Sequence, residues 1–196
     1  MKKLALYWYI FSEVSLSTFS SAHGKEFCHY LLPFAPGQTH RALQGYFGKY
    51  SHKAPLEYGV DFEMKEGTPI HAARSGTVIS IKDDSNQSGK DKSYLEKANY
   101  IKVEHSDKTI GYYAHLKFRG VLVKKGQKIL AAQHIGYSGC TGWCDGAHLH
   151  FEVHETKNGN SRKTLPIQFI TKQGVVKNIE RQKSYTAVLT DQNLCK

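Results

Sequence analysis

Apolar and polar positions alternate along most of this chain, in runs too short for helices. In Tyr100-Ile101-Lys102-Val103-Glu104, Ile101 and Val103 fall on one face, and Tyr100, Lys102 and Glu104 on the other. That period of two marks a half-buried strand. A partner run at 109–113 follows a polar turn at 106–108, and runs at 69–74 and 77–82 flank Ser75-Gly76. The run 147–153 sends Leu149, Phe151 and Val153 toward a core and sets His148, His150, Glu152 and His154 on the opposite face. Residues 83–97, rich in Ser, Asn, Gly and Lys, read as a surface insertion. The tail 164–196 reads as further strands, with Leu165-Pro166-Ile167 following an Asn158-Gly159 turn. No helical period exceeds two turns, and no repeat or coiled coil appears. The predicted fold is mainly β, an antiparallel β-sandwich or split barrel.

Length and composition narrow this picture. A chain of 196 residues with 40% hydrophobic content can bury one core, so a single folded domain is expected. The N-terminus differs in kind. Lys2 and Lys3 precede the apolar run 4–11, and small residues follow through Ser20-Ser21-Ala22. This is the layout of a secretory signal peptide, residues 1–22, cleaved after Ala22. The apolar run is far below the roughly 20 residues that span a bilayer, so no stable membrane insertion is expected after cleavage. The expected compartment is the periplasm or the exterior.

Four cysteines, an even number, suit that oxidising setting. Cys28 and Cys195 lie near the two ends, and Cys140 and Cys144 flank Thr141-Gly142-Trp143. All four are disulfide candidates with the connectivity open: a bridge in the first pair would close nearly the whole mature chain, and one in the second would stiffen the loop before the histidine-rich strand. Metal binding by Cys140 and Cys144 is disfavoured, because only two thiols lie there. The formal net charge is +10, or +9 without Lys2, Lys3 and Glu13. Such a balance attracts anionic polymers. The lysines are scattered and carry no nucleic-acid motif, so no nucleic-acid partner is expected, and a monomer is.

The chemistry concentrates in His148-Leu149-His150. Two imidazoles side by side on a strand, with no nucleophile near, read as zinc chemistry. The pair has partners: Tyr58-Gly59-Val60-Asp61-Phe62, then Glu66-Gly67-Thr68-Pro69-Ile70, Tyr112-Tyr113-Ala114-His115-Leu116, and Ile135-Gly136-Tyr137-Ser138-Gly139. In order and spacing these segments resemble the lysostaphin/LytM-type zinc metallopeptidases, which cut peptide bonds in bacterial cell walls. The resemblance covers roughly 51–155. It implies the lysostaphin-like, duplicated-hybrid variety of β fold, with residues 23–50 as an N-terminal extension, 51–155 as the metallopeptidase core and 156–196 completing the domain.

The resemblance also implies roles. Asp61 and His150 would be zinc ligands, and His115 and His148 would flank the attacking water as proton-transfer groups. The family pattern usually has a histidine four residues before the aspartate, where this chain has Glu57. The alternative first ligand is His52, favoured because nitrogen suits zinc and because Pro55 lets a loop return toward the metal. Both stay open. Glu152 reads as a hydrogen-bond partner near the site rather than a base. His71 reads as strand packing, His105 as an exposed turn residue, His134 as half-buried and His154 as a solvated strand end. The implied function is zinc-dependent hydrolysis of peptidoglycan cross-links or stem peptides. The alternative is a catalytically silent module that binds cell wall and activates another hydrolase.

Overall fold

The strand expected from the His-x-His run forms at His148–His154 and lies inside an eight-stranded antiparallel sheet. The computed structural model describes residues 28–156, 163–190 and 194. The expected signal segment 1–22, the Asn158-Gly159 turn and Cys195 lie outside the described residues. The described strands, in chain order, are β1 (His29–Leu31), β2 (Thr39–Gln44), β3 (Val60–Glu63), β4 (Pro69–His71), β5 (Gly76–Lys82), β6 (Ser88–Gly89), β7 (Tyr100–Glu104) and β8 (Ile110–Ala114). There follow β9 (Leu116–Val121), β10 (Lys128–Ile129), β11 (His134–Ser138), β12 (Gly142–Trp143), β13 (His148–His154), β14 (Gln168–Thr171), β15 (Gly174–Val176) and β16 (Ser184–Thr186).

The large sheet runs β10-β5-β7-β8-β13-β3-β2-β16, so the chain is mainly β and antiparallel. A second sheet, β4-β11-β9, and a third, β1-β14-β15, share its core. The alternation read from the sequence sets the two faces. Ile101, Val103, Tyr113, Leu149, Phe151, Val153, Val60 and Phe62 are buried on the inner face. There Phe62 packs on Phe34 at 5.3 Å, and Phe151 on Tyr113 at 4.9 Å and on Phe169 at 6.0 Å, ring centre to ring centre. Removing a buried ring such as Phe151 costs about 3–5 kcal/mol. Phe169 thereby ties the C-terminal tail to the middle of the large sheet. The outer face, carrying Asp61, Tyr112, His148, His150 and Lys102, is left for chemistry.

One strand pairing is settled and two local expectations change. The runs around Ser75-Gly76 do not pair with each other: β4 joins β11, while β5 joins β7 and β10. The 83–97 insertion is not merely solvated surface. It contains β6, paired with β12, and a 3-10 helix, Lys92–Lys97, whose start is capped by the Asp91 side chain accepting from Ser93 N. Buried Asn99 pins it by exchanging two hydrogen bonds with the Ser85 backbone, at 2.8 and 3.0 Å. Finally, His105 is buried rather than exposed, at 2% accessibility.

His105 Nδ1 donates to the Ser75 carbonyl at 2.8 Å, and its ring meets Tyr30 edge-on at 5.5 Å. Burial dominates its titration and, with the nearby Arg74 charge, lowers its pKa to about 4 against the Ser75 hydrogen bond. A depressed histidine is neutral when folded and takes up a proton on unfolding between about pH 6.5 and 4. Stability is therefore full above about pH 6.5 and falls as the pH drops toward 4, by up to about 3 kcal/mol from this residue. Denaturant titrations of wild type and His105→Gln at pH 7 and pH 4 should show a shallower acid loss in the variant. Parallel losses would exclude His105 as a source of acid sensitivity.

Candidate metal centre and cleft

Register places the site. On β13, His150 stands opposite Asp61 of β3 on one side and Ala114 of β8 on the other. Ala114 is small and leaves room over the imidazole. His52 arrives differently, on the loop between β2 and β3. Short turns at 51–59 fold that loop back, and the Ala54–Pro55 peptide within it is cis. Thr164, from the C-terminal segment, fastens it: its hydroxyl accepts from Tyr58 N and donates to the Pro55 carbonyl, both at 3.1 Å. Gly59 is needed where the loop rejoins β3, because a Cβ there would lie 2.9 Å from His150 Cε1 and 3.1 Å from His52 Nε2.

His52, Asp61 and His150 form the one cluster among the described residues able to hold a metal ion. His52 Nε2 lies 3.3 Å from Asp61 Oδ1, His150 Nδ1 lies 2.8 Å from the same oxygen, and the two nitrogens are 3.4 Å apart. Tetrahedral zinc with bonds of about 2.0–2.1 Å has edges of about 3.3 Å. Two imidazoles and a carboxylate at these separations fit zinc with a position left open. The supporting groups are also present. His52 Nδ1 donates to the Gly45 carbonyl at 2.9 Å, which leaves Nε2 facing the cluster. Gln44 Nε2 donates to Asp61 Oδ2 at 2.6 Å and to Ser51 Oγ at 3.0 Å. Glu152 Oε2 lies 3.2 Å from His150 Nε2, at ion-pair distance though without hydrogen-bond geometry. Its other oxygen accepts from His154 Nε2 at 2.7 Å.

Charge follows this geometry. Burial opposes a proton on His150, but the Glu152 charge and the Asp61 hydrogen bond outweigh it and raise the pKa to about 10. Burial likewise works against both carboxylates, and the histidines overcome it, holding Asp61 and Glu152 well below the usual carboxylate range. A metal at the triad would take the place of the His150 proton.

His115 and His148 stand beside the cluster, their rings 4.6 Å apart, with His115 6.0 Å from His150. His115 occupies the bend between β8 and β9 at φ +62°, a left-handed conformation that costs a non-glycine residue about 1–3 kcal/mol. Its Nδ1 donates to the Thr141 carbonyl at 2.8 Å, and His148 Nδ1 donates to Gly146 O at 2.8 Å. Both imidazoles are left with an Nε2 lone pair. Burial, with the His148 and His150 imidazoles close by, lowers the His115 pKa to about 3, so the ring is neutral. Thr141 lies inside the loop closed by the Cys140–Cys144 disulfide, and Gly146 lies two residues beyond it, its N–H donating to Cys140 Sγ at 3.3 Å. Cys28 is also disulfide-bonded, and the candidate Cys195 lies outside the described residues.

His52 is buried, while Asp61, His150 and both flanking histidines line a cavity of about 1420 Å³. Its floor is the outer face of the large sheet. Tyr50 stands on one wall; Leu95 of the 3-10 helix and Trp143 form the other.

Residues 55–163 match peptidase family M23. The chain belongs to that family. It is 31% identical over 147 residues to an uncharacterized metalloprotease of Buchnera aphidicola, covering 74% of this chain and 35% of that protein. It is 36% identical over 95 residues to peptidoglycan DD-endopeptidase ShyA of Vibrio cholerae, covering 48% and 19%. With lysostaphin of Staphylococcus simulans it shares 34% over 119 residues, covering 61% and 22%. The match thus spans about a third or less of each curated relative. Among solved structures, the catalytic domain of the prophage-encoded M23 protein EnpA from Enterococcus faecalis superposes with a TM-score of 0.50 at 24% identity. That comparison covers 67% of this chain and 93% of that one, and it supports the fold.

The structure brings together His52, Asp61, His115, His148 and His150 of the expected site residues. Glu57 stays apart: it is half-buried beside the turn, and its Oε2 has no hydrogen-bond partner. Two supporting residues were not expected from the sequence. His154 is buried at 3% accessibility and bonded to Glu152, not solvated. Its shared face with His150 and Glu152 was the available signal. Gln44 had none. Chelator-stripped protein should take up a single zinc and release about one proton at pH 7, read by calorimetry in buffers of different ionisation enthalpy. His52→Ala and Asp61→Ala should lose the metal, Glu57→Ala should keep it, and Gln44→Leu should bind about 10–100-fold more weakly. Metal loss in Glu57→Ala with retention in His52→Ala would reassign the first ligand.

Proposed function

We propose that this protein is a zinc-dependent endopeptidase that hydrolyses peptide bonds in peptidoglycan cross-links or stem peptides. The observation that carries the reading is the cleft itself: a triad of two imidazoles and a carboxylate, with two further histidines beside it and a long open floor. The names of the ShyA and lysostaphin relatives support the substrate class. When bound, zinc supplies Lewis acidity that acidifies water and polarises a carbonyl.

The chain supplies the rest. His52, Asp61 and His150 would hold the metal, and the Glu152 carboxylate stands at ion-pair distance from the far nitrogen of His150. Nε2 of His115 or His148 takes the proton of the attacking water and delivers it to the leaving amine. The Thr141 and Gly146 carbonyls keep both rings in the tautomer this requires. The cavity walls hold an extended peptide against these groups and exclude water as it binds. The silent-module alternative is disfavoured, because such a module has no need of the His115 and His148 pair held in working tautomers. The protein acts as a monomer in the periplasm or outside the cell, a setting that suits the Cys140–Cys144 bridge. No helix among the described residues is long and apolar enough to cross a membrane.

Mature protein should release peptides from isolated cell walls, and His150→Ala should abolish this. His115→Ala and His148→Ala should each lower kcat by about 10²–10⁴ while retaining zinc. The double variant Cys140→Ser, Cys144→Ser should also keep zinc yet lose kcat, because it frees the carbonyls that set both tautomers. Undiminished wall hydrolysis by His150→Ala would refute the peptidase reading.

A further inference from the structure

The floor of the cleft holds a cation that forms an ion pair with no described residue. Lys102 lies on the outer face of β7, in one cross-strand row with Tyr112 of β8 and Glu152 of β13. It is half-buried, and its ammonium sits 5.4 Å from the ring centre of Tyr100 and 5.6 Å from that of Tyr112. Among the described residues it forms no ion pair. Glu152, in the same row, is committed to His150 and His154, and the neighbouring Glu104 pairs with Lys108. Lys90, on the rim, is by contrast paired with Asp145.

Two aromatic faces orient an ammonium but do not neutralise it. A lysine also loses much rotamer freedom when fixed on a strand. A fixed, half-desolvated positive charge lining a groove favours an anion there, the more so once the groove fills and water leaves. The anion class follows from the proposed substrate, a short peptide, whose anionic groups are carboxylates. Distance sets its place. Lys102 lies two strands from β13 and two residues along from the level of His150, roughly 12 Å between Cα atoms at ordinary strand spacing. That is roughly three residues of extended peptide.

We propose that Lys102, framed by Tyr100 and Tyr112, is a carboxylate subsite that selects peptides bearing a free carboxylate about three residues from the scissile bond. The inference rests on the peptidase reading and adds to it the feature of the substrate that is recognised. Lys102 touches no reacting atom; it binds the substrate away from the metal. Either a chain-terminal or a side-chain carboxylate supplies the same chemistry.

Three synthetic cross-linked stem-peptide dimers separate these sources: one with all carboxylates free, one with the chain termini amidated, and one with the side-chain carboxylates amidated. Zinc-loaded wild type should cleave the free acid at least about 10-fold better in kcat/KM than one of the two amides, mainly through KM, as expected for a lost hydrogen bond to a charged group. The disfavoured amide identifies the source. Lys102→Met should bring the free acid down to the rate of that amide while still binding stoichiometric zinc, and Lys102→Arg should restore the preference. Equal wild-type rates on all three peptides, or an undiminished preference in Lys102→Met, would overturn the subsite and leave the peptidase reading standing. Hydrolysis of none of them would overturn the peptidase reading, and the subsite with it.

Discussion

One half-buried imidazole, His150, standing between two buried carboxylates, governs the site. Asp61 and Glu152 are 5% and 1% accessible, and a carboxylate taken out of water costs several kcal/mol unless a cation compensates it. With its proton, His150 offsets one of these charges, and a negative residue of the pair remains. A divalent cation at the Asp61 side would complete the balance, with Glu152 still at ion-pair distance from the far nitrogen. The pattern of polar groups around the cluster follows from that requirement. Gln44 satisfies the outer oxygen of Asp61, His154 satisfies one oxygen of Glu152, and the Gly45 carbonyl fixes His52. The sheet makes the arrangement affordable, since pairing of β3 with β13 brings Asp61 and His150 face to face through backbone hydrogen bonds alone.

Metal holding and proton handling are built on different parts of the fold. Asp61 and His150 sit in the middle of strands, where inner-face packing of Phe62 and Phe151 leaves the backbone little freedom. His115 and His148 sit at strand ends and take their orientation from carbonyls in and just beyond the disulfide-closed loop. The left-handed backbone of His115 fits this division: the strain is held where the chain must turn a side chain out of the strand and over the metal. Disturbance of the loop therefore acts on the rate more than on the metal.

Much of this was legible in the sequence wherever alternation alone decides direction. The run 147–153 assigned His148, His150 and Glu152 to one face and Leu149, Phe151 and Val153 to the core, and the sheet shows that division. Alternation is silent about residues that reach the site through loops. His52 is delivered by turns around Pro55 and a fastening hydroxyl from Thr164, more than a hundred residues later, and Gln44 lies beyond any motif. The misread histidines share another cause. His105 and His154 were placed in solvent because isolated polar residues at strand ends usually are. Their burial depends on partners, Ser75 and Glu152, whose proximity is set by tertiary packing rather than by local sequence. The same holds for the 83–97 insertion, polar in composition yet anchored by Asn99 as a cleft wall.

The family match begins at residue 55, yet His52 and Gln44 precede it and Thr164 follows it. The donor set is therefore complete only when both flanks of the matched region are docked. The N-terminal flank docks by pairing of β2 with β3, and the C-terminal flank by β16 on β2 and by Phe169 on Phe151. Bringing such distant segments together costs loop-closure entropy before any contact is gained. A metal held by His52, Asp61 and His150 cross-links the return loop to two central strands. Its binding free energy thus adds to the stability of the docked flanks. Fixing the loop at His52 also fixes Tyr50 and Ser51, which line the cleft, so metal occupancy and the shape of that wall are coupled through a few residues of backbone.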